Sequence, residues 1–414
     1  MHFLLKFRPA SLLFATTLAV SGCGRESPPA AHASALQSLA VPAAAGSLGP
    51  NLAPGPDGQV VLSWVEPAGS GHRLLYSVLG DDAWGEPSQV SAGDHWMVNW
   101  ADFPSVVPLS DTLWAAHWLV QQPAGGYAYD VMLTLSSDGE TWSEPIMPHN
   151  DGTPTEHGFV SMFPQDEAAG LLWLDGRNTV SESSGVDTVN GTTLRTATIG
   201  ANLAIGNAAQ VDGLICDCCQ TDVAMTDAGP VAVYRDRTED EVRDIYVSRL
   251  VEHEWLPGHP VADDGWIIAG CPVNGPAIAA HGSRIAVAWY TAADERPRVR
   301  MARSEDGGAS FSTAADVVSD AAFGRVGVAL LPDNRVAVSW LCKRPEEKAA
   351  VCVRSVSSAG EIAPVQVISA DQEVSTLSVP QLLRSEDWLV AAWTAEAGGE
   401  SVISSGRIPI AALD

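Results

Sequence analysis

Hydrophobic residues recur along the chain in short runs that end in an aromatic residue, and turn residues such as Gly, Pro, Asn and Asp separate the runs. The pattern returns after about fifty residues, a period typical of structural repeats. Short apolar runs bounded by turn residues predict β-strands. Each repeat therefore predicts three or four antiparallel strands, and the run assigned to the second strand is found at 60–64, 113–118, 170–173, 231–234, 285–289, 336–340 and 389–393.

This repeat predicts an all-β protein, a β-propeller of four-stranded antiparallel blades. Seven units favour seven blades, and six are the alternative if one unit is an irregular insertion. A pair of β-sandwiches or a β-helix is a weaker alternative, because neither needs a repeat of this length. The last unit stops soon after its third strand, and segment 36–41 precedes the first unit. We expect this N-terminal strand to close the ring, because closure removes edges that pair with other chains.

The N-terminus carries a different hydrophobic pattern. Basic residues precede a mostly apolar run at 12–20, which is too short to span a bilayer and suits the core of a signal peptide. The run ends in Val-Ser-Gly-Cys at 20–23, which resembles the lipobox of bacterial lipoproteins; an ordinary signal peptide with an incidental cysteine is the alternative. The resemblance implies that 1–22 is a lipoprotein signal peptide and that Cys23 is lipidated.

The rest of the chain divides into a tether and one domain. Residues 23–45, rich in Ala, Pro and Ser, predict a lipidated N-terminus followed by a flexible tether, and residues 46–414 predict the propeller. We therefore expect an exported protein anchored to the cell envelope by its lipid alone. Gly24 after the cysteine resembles the outer-membrane sorting pattern of Gram-negative hosts. The periplasmic or surface side stays open.

Composition excludes one class of partner. The chain of 414 residues has a formal net charge of -27 and only three lysines. Proteins that bind nucleic acid carry a basic patch, so we expect no nucleic-acid partner. The acidic balance by itself predicts a solvated surface.

Two turns carry a family signal. Residues 304–311 read Ser-Glu-Asp-Gly-Gly-Ala-Ser-Phe, and residues 136–142 read Ser-Ser-Asp-Gly-Glu-Thr-Trp. Both resemble the Asp box, or BNR repeat, of the sialidase superfamily. The resemblance implies a β-propeller in which the box turn joins the third and fourth strands of a blade and stabilises it. Sialidases have six blades and hold their substrate with three arginines, the first in an Arg-Ile-Pro type motif of the first blade, whereas the first unit, 51–64, contains no arginine.

In a propeller, the loops that enter the innermost strands and the loops after the second strands emerge on one face, around the channel. Such loops are where binding residues gather. If the protein is a hydrolase, Asp102, Glu156 and Asp236 are the candidate acid, base or nucleophile, because glycoside cleavage needs a close carboxylate pair. The sequence does not give their spacing.

The same face carries candidate ligand-binding residues. Arg177, Arg235 and Arg237 match a clamp for a carboxylate, sulfate or phosphate group, since guanidinium forks fit planar anions. Their acidic neighbours offer the alternative that these arginines form structural ion pairs. Trp100 can stack on a sugar or pack in the core, and Asn274 adds a polar group to the mouth.

Six cysteines follow Cys23, and thiols of exported proteins normally pair. Cys342 and Cys352 fall on neighbouring strands of one hairpin, which predicts a disulfide. The other four cysteines form a second group, for which three alternatives stay open. They are two disulfides between adjacent units, a soft-metal site for Cu or Zn together with His157, and a redox-active disulfide. That group consists of Cys216, Cys218, Cys219 and Cys271.

The sequence thus predicts an envelope lipoprotein whose sialidase-like propeller binds a glycan or a small anionic ligand at its mouth. As an enzyme, it would be a glycoside hydrolase resembling an exo-sialidase. The alternatives are a non-catalytic protein that binds or assembles with another envelope protein, and a metal-handling protein. No cofactor is fixed by the sequence beyond the candidate Cu or Zn site at the cysteines.

Overall fold

The computed structural model describes residues 36–179, 191–320, 322–369 and 372–413. The predicted signal peptide and Cys23 lie outside the described residues. Within these ranges no helix is long and apolar enough to cross a lipid bilayer. The helical segments there are short 3-10 turns at Pro56–Gly58, Arg177–Thr179, Ala293–Glu295, Pro345–Glu347 and Ile410–Leu413.

Strands make up the rest of the regular structure. In chain order they are β1 (Gln37–Leu39), β2 (Leu48–Pro54), β3 (Val60–Ala68), β4 (Gly71–Val78), β5 (Ser88–Gly93), β6 (Ser105–Ser110), β7 (Leu113–Gln121), β8 (Tyr129–Ser136), β9 (His157–Gln165), β10 (Ala168–Asp175), β11 (Thr193–Ile199), β12 (Ile205–Asp212), β13 (Asp222–Thr226), β14 (Gly229–Arg235), β15 (Ile245–Val251), β16 (Glu254–Trp255), β17 (His259–Pro260), β18 (Ala277–His281), β19 (Arg284–Thr291), β20 (Arg298–Ser304), β21 (Ala315–Ser319), β22 (Ala322–Leu330), β23 (Val336–Lys343), β24 (Ala349–Val356), β25 (Gln366–Val367), β26 (Glu373–Val374), β27 (Gln381–Ser385), β28 (Trp388–Ala397) and β29 (Glu400–Pro409).

Neighbouring strands pair antiparallel in chain order, as expected for repeated meanders. Separate sheets are formed by β2–β5, β6–β8, β9–β12, β13–β17 and β18–β21. The strands β22–β25 and β27–β29 belong to one larger sheet, because the short β26 pairs with both β24 and β28. The predicted all-β class with four-stranded antiparallel sheets is confirmed.

The second strand of each group contains the predicted apolar run, and its burial explains the pattern. In β3 every residue from Val60 to Glu66 is buried, because neighbouring sheets cover both faces. A strand covered on both faces reads as a continuous hydrophobic run. The terminal aromatics are buried too, and several of their indoles donate to a polar partner, among them Trp64 to Glu66 at 3.1 Å and Trp173 to Asp175 at 2.8 Å.

The core lies between consecutive sheets. One hydrophobic cluster joins residues of β19 and β20 to residues of β23 and β24, and the next joins β23 and β24 to β28 and β29. The innermost strands β2, β6, β9, β13, β18, β22 and β27 contact one another in that order, and β27 also contacts β2. They surround a cavity of about 660 Å³, which we call the central cavity. Sheets arranged around a channel form a β-propeller.

The N-terminal strand requires one correction. β1 pairs with β29, with Gln37 opposite Arg407 and Leu39 opposite Ser405. It therefore lies inside the segment 23–45 that we predicted as lipidated N-terminus and tether. Leu39 is buried in a cluster with residues of β3 and β28, so its apolar side chain favours the sheet over solvent. The predicted tether was too long at its C-terminal end.

The two Ser-x-Asp-Gly turns are organised by their aspartates. The carboxylate of Asp138 accepts the amides of Glu140 and Thr141 at 2.9 and 2.8 Å. In the turn between β20 and β21, Asp306 accepts the Ser310 amide at 2.9 Å and its hydroxyl at 2.6 Å. These bonds satisfy amides that the turn leaves without backbone partners.

Candidate functional site

The central cavity lies beside a pair of acids, the buried Asp102 and the half-buried Glu156. Asp102 lines the cavity, and only 2% of its surface is exposed. The hydroxyl oxygen of Tyr129 lies 2.8 Å from Oδ2 of Asp102 and 2.6 Å from Oε1 of Glu156. A phenol has one proton and donates it to one of these oxygens. The other carboxyl group must then donate its own proton to the hydroxyl, so the geometry requires a protonated acid.

The local backbone holds this trio in place. Asn99 caps the loop before Asp102, because its side-chain oxygen accepts the amides of Ala101 and Asp102 at 2.7 Å each. The Phe159 amide donates to Oδ1 of Asp102 at 2.8 Å. Gly158 is required here, since a Cβ at this position would lie 1.9 Å from Oδ2 of Asp102.

Burial sets the proton affinity of the pair. Desolvation raises the pKa of Asp102 to about 7, opposed by the hydrogen bonds from Tyr129 and Phe159. Desolvation also raises the pKa of Glu156 to about 7, and repulsion from Asp102 and Asp217 adds to it. The phenol between the two acids has a pKa well above 10 for the same reasons. Near neutral pH the trio therefore holds an acid and a base, of which Asp102 lines the cavity.

The predicted site residue Asp236 lies elsewhere. It forms an isolated bridge with Ile215, and its amide donates to the Asp244 carbonyl. Desolvation, followed by repulsion from Asp212 and Asp244, raises its pKa to about 7. No hydrogen bond between described residues connects Asp236 to the Asp102 pair. The structure brings together two of the three predicted carboxylates.

Arg177 belongs to an ion-pair network beside the trio. Its guanidinium donates to both oxygens of Asp175 at 2.6 Å and approaches Asp151 at 3.1 Å. The rings of His149 and His157 stack there at 3.9 Å, and Nε2 of His149 accepts the Val131 amide. The structural alternative for Arg177 thus matches the structure better than an anion clamp.

Arg235 is corrected for a similar reason. Only 2% of its surface is exposed, and its donors bond the carbonyl oxygens of Asn274, Arg243 and Tyr290 at 2.6 to 3.0 Å. The Trp266 ring covers the guanidinium at 4.9 Å. A buried arginine with its donors satisfied binds loops together and offers nothing to a ligand.

Two other predicted ligand-binding residues also have internal partners. Arg237 donates to Oε1 of Glu241 at 3.1 and 2.5 Å and lies 3.5 Å from Asp217. Asn274 is buried, and its side-chain oxygen accepts the Arg325 amide at 2.7 Å. Of the two, Arg237 keeps partial exposure, whereas Asn274 orders a loop.

Arg325 is one of two arginines, with Arg384, that line the central cavity in the described residues. It lines the central cavity and lies over the Trp100 ring at 4.8 Å. Its buried Nε has no acceptor, and no acidic side chain in the described parts of the chain forms an ion pair with it. Desolvation lowers its pKa. An arginine in this state gains from an anionic ligand.

The cysteines form two bonded pairs and one unbonded pair. Cys342 is joined to Cys352, as predicted, and Cys218 is joined to Cys271. Cys216 and Cys219 are buried free thiols whose sulfurs lie 3.4 Å apart. Of the two disulfides expected in the second group, the structure contains Cys218–Cys271, and the sulfurs of Cys216 and Cys219 are not bonded to each other.

The Arg-Ile-Pro triplet, absent from the first unit, occurs at 407–409 in β29. Arg407 lies over the Trp388 ring and donates to Gln37 at 3.0 Å and to Asp82 at 2.6 Å. These contacts place it at the pairing with β1, outside the residues that line the central cavity.

Sequence reasoning missed Tyr129 and Arg325. Tyr129 begins β8 and reads as one more apolar strand residue, and its contacts with Asp102 and Glu156 span 27 positions. Arg325 lies within β22 with a positive φ of 54°. A lone arginine inside an apolar run was the available signal, because such a charge is rarely buried without a partner.

No family model matches the chain, and no curated protein matches it. Among solved structures, a protein of unknown function from Dyadobacter fermentans is 14% identical, with 91% of this chain and 96% of that chain covered and a TM-score of 0.45. The NanB sialidase from Streptococcus pneumoniae is 9% identical over 86% and 84% of the two chains, with a TM-score of 0.47. An alpha-L-arabinanase from Penicillium chrysogenum is 12% identical over 92% and 98%, with a TM-score of 0.48. At these identities the activities of those proteins do not transfer to this chain.

Proposed function

We propose that the protein is a carbohydrate-cleaving enzyme, a glycoside hydrolase, with its active site at the mouth of the central cavity. The observation that carries this proposal is the Tyr129 hydroxyl bonded to both Asp102 and Glu156. Oδ2 of Asp102 and Oε1 of Glu156 lie 2.8 and 2.6 Å from the same hydroxyl oxygen. The separation of these two carboxylate oxygens therefore cannot exceed the sum of the two distances. This upper limit lies below the roughly 6.5–9.5 Å between the acids of inverting glycosidases, so we assign the pair to the retaining class, whose acids lie roughly 5–5.5 Å apart.

The roles follow from the surroundings of the acids. Asp102 is the more buried of the two and lines the cavity, so in its protonated form it donates to the leaving oxygen. Glu156 is partly exposed and acts as the base or nucleophile once ionised. Tyr129 is a positioning residue in this scheme, since its hydroxyl fixes both carboxyl groups and keeps one proton between them.

The ligand in this proposal is a glycan with an anionic group. Arg325 supplies the positive charge beside the cavity, and Trp100 beneath it supplies an aromatic face. The remaining parts of the assignment are proposals of the same kind: a seven-bladed ring closed by β1, an exported chain, and a lipid anchor at Cys23 in the outer membrane. The strand pairing of β1 with β29 and the ring of contacts among the innermost strands support the closed ring.

The test is turnover of a panel of sialosides, arabinans and uronic-acid glycans by the full-length chain. Replacement of Glu156 by Gln should lower kcat by at least 100-fold, because acid–base catalysis typically contributes 10²–10⁴-fold. Tyr129→Phe should reduce kcat and move the acid limb of the pH profile. Tyr127→Phe is the matched control, since Tyr127 is 75% exposed and should retain full activity.

Absence of turnover, with capture of one glycan or of an envelope protein, would replace this proposal by the non-catalytic alternative. Arg325→Met separates ligand classes, because it should weaken binding of a carboxylated sugar and leave a neutral sugar unaffected. Equal weakening of both would contradict the anionic assignment.

A further inference from the structure

Four cysteine sulfurs meet where two loops cross. Cys216, Cys218 and Cys219 lie in the loop between β12 and β13, and Cys271 lies in the loop between β17 and β18. The Cys218–Cys271 disulfide ties the two loops, with 6.0 Å between the Cα atoms. Nothing in the proposed hydrolytic site uses these sulfurs.

Polar N–H groups contact the buried sulfurs of Cys216 and Cys219. An Arg243 N–H donates to the Cys216 sulfur at 3.3 Å, and the Asn274 amide donates to the Cys219 sulfur at 3.4 Å. Backbone and guanidinium N–H donors of this kind orient thiolate ligands in metal centres. The Arg243 side chain is only 4% exposed, so its positive charge offsets negative sulfur charge inside the protein.

The sulfur spacing fits a tetrahedral ion. A Zn–S bond of about 2.3 Å with tetrahedral angles separates neighbouring sulfurs by about 3.8 Å. The Cys216 sulfur lies 3.4 Å from that of Cys219 and 3.9 Å from that of Cys218. These three sulfurs all lie within 4.8 Å of one another, and Cys271 is bonded to the third.

We propose that this cluster is a redox-gated site for one thiolate-preferring cation of the Zn²⁺ type. A dithiol reductant delivers two electrons and two protons to the Cys218–Cys271 bond, which breaks into two thiols while the reductant becomes its own disulfide. The cation then binds the sulfurs of all four cysteines and displaces the protons they hold. The metal replaces the lost covalent link between the two loops.

The two disulfides differ in solvent exposure, so we expect a reductant to act on one of them first. Cys271 is exposed and Cys218 is half-buried, so a reductant in solution can reach their bond. Cys342 and Cys352 are both buried, at 6% and 3% exposure. Mild reduction of the folded protein should therefore open the first bond and spare the second.

The experiment treats the folded full-length chain with a dithiol, removes the reagent without oxygen, and titrates Co²⁺ followed by Zn²⁺. We expect one Co²⁺ per reduced chain, with the visible absorption of tetrahedral cobalt–thiolate centres, and its displacement by one Zn²⁺. The untreated chain should bind at least 100-fold more weakly. The double variant C216S/C219S should lose this binding, and C342S/C352S is the matched control that should keep it.

A second measurement is independent of whether a variant folds. In the reduced wild-type chain, Zn²⁺ should protect all four clustered cysteines from alkylation, as mapped by mass spectrometry. A reduced chain that binds no Co²⁺, or a cobalt spectrum that persists in C216S/C219S, would overturn the proposal. So would alkylation of the four cysteines at the same rate with and without Zn²⁺.

Discussion

Replacing Asp102 by Asn should make the protein more stable at alkaline pH. Burial raises the pKa of this carboxyl group from 3.8 to about 7. Between these values the folded chain holds the proton and the unfolded chain does not, so stability falls as pH rises from about 4 to about 7 and stays lower above it. Each pKa unit corresponds to about 1.4 kcal/mol, so ionised Asp102 costs about 4 kcal/mol in full.

Asparagine fits the same space and cannot ionise. Its side-chain oxygen can still accept the Phe159 amide, which donates to Oδ1 of Asp102 at 2.8 Å. The free energy of unfolding of Asp102→Asn minus that of the wild type should therefore grow by roughly 3 kcal/mol between pH 5 and pH 8. The loss of repulsion on Glu156 acts in the same direction, because Asp102 raises the pKa of Glu156.

Urea unfolding of both proteins across this pH range measures the difference directly. Asp57→Asn is the matched control, because Asp57 is exposed and its replacement should change stability by no more than about 0.5 kcal/mol at any pH. Parallel profiles for the wild type and Asp102→Asn would refute the reasoning, since they would mean that Asp102 is ionised in the folded chain throughout. The proposed acid would then have no proton to give.

Three further predictions concern other parts of the molecule. Gly158→Ala should abolish turnover and lower the free energy of unfolding by about 1–3 kcal/mol, because the added Cβ would overlap Oδ2 of Asp102. Gly80→Ala is the control: its Cβ would meet no atom closer than 3.4 Å, so turnover and the urea midpoint should stay unchanged. Asp306→Ala should lower Tm slightly at pH 7 and by less at pH 3. Bonds from Ser310 and Ser304 lower the pKa of Asp306, so the stability it adds above the unfolded pKa is lost as pH falls. Equal losses at both pH values in a thermal scan would contradict this. The free energy of unfolding of C342S/C352S, measured in urea, should be about 3 kcal/mol lower than that of the wild type, because the disulfide closes a loop with a sequence separation of 10. The difference should vanish when the wild type is fully reduced. A difference that persists would mean that the serines pack poorly.

The strands were predictable because their signal is local. Runs such as 60–64 and 389–393 are continuous apolar stretches, and the structure places both inside strands covered on two faces. The Cys342–Cys352 bond was predictable for the same reason, since both residues belong to one hairpin. Both predictions rest on residues that lie close together in the sequence, within one strand or one hairpin.

The site was predictable only in part, because its contacts are long-range. Asp102 and Glu156 were found as polar residues in loops of one face, but their common partner Tyr129 looks like any strand aromatic. Arg235 was misjudged because two of its partners are backbone carbonyls far away in the sequence, that of Asn274 in a loop 39 positions away and that of Tyr290 in β19, 55 positions away. Every residue type has a backbone carbonyl, so the sequence does not reveal which carbonyls a guanidinium bonds.

The pairing of β1 with β29 has a consequence for how the protein is made. The partner of Gln37 is Arg407, so β1 is synthesised long before β29, and the two strands can pair only after the strands between them have been made. Contacts between such distant segments form slowly, and unpaired strand edges are exposed to aggregation in the meantime. Until β29 has been synthesised, β1 therefore has no partner strand. A chain cut short before β29 would leave β1 without a partner and one edge of β28 unpaired.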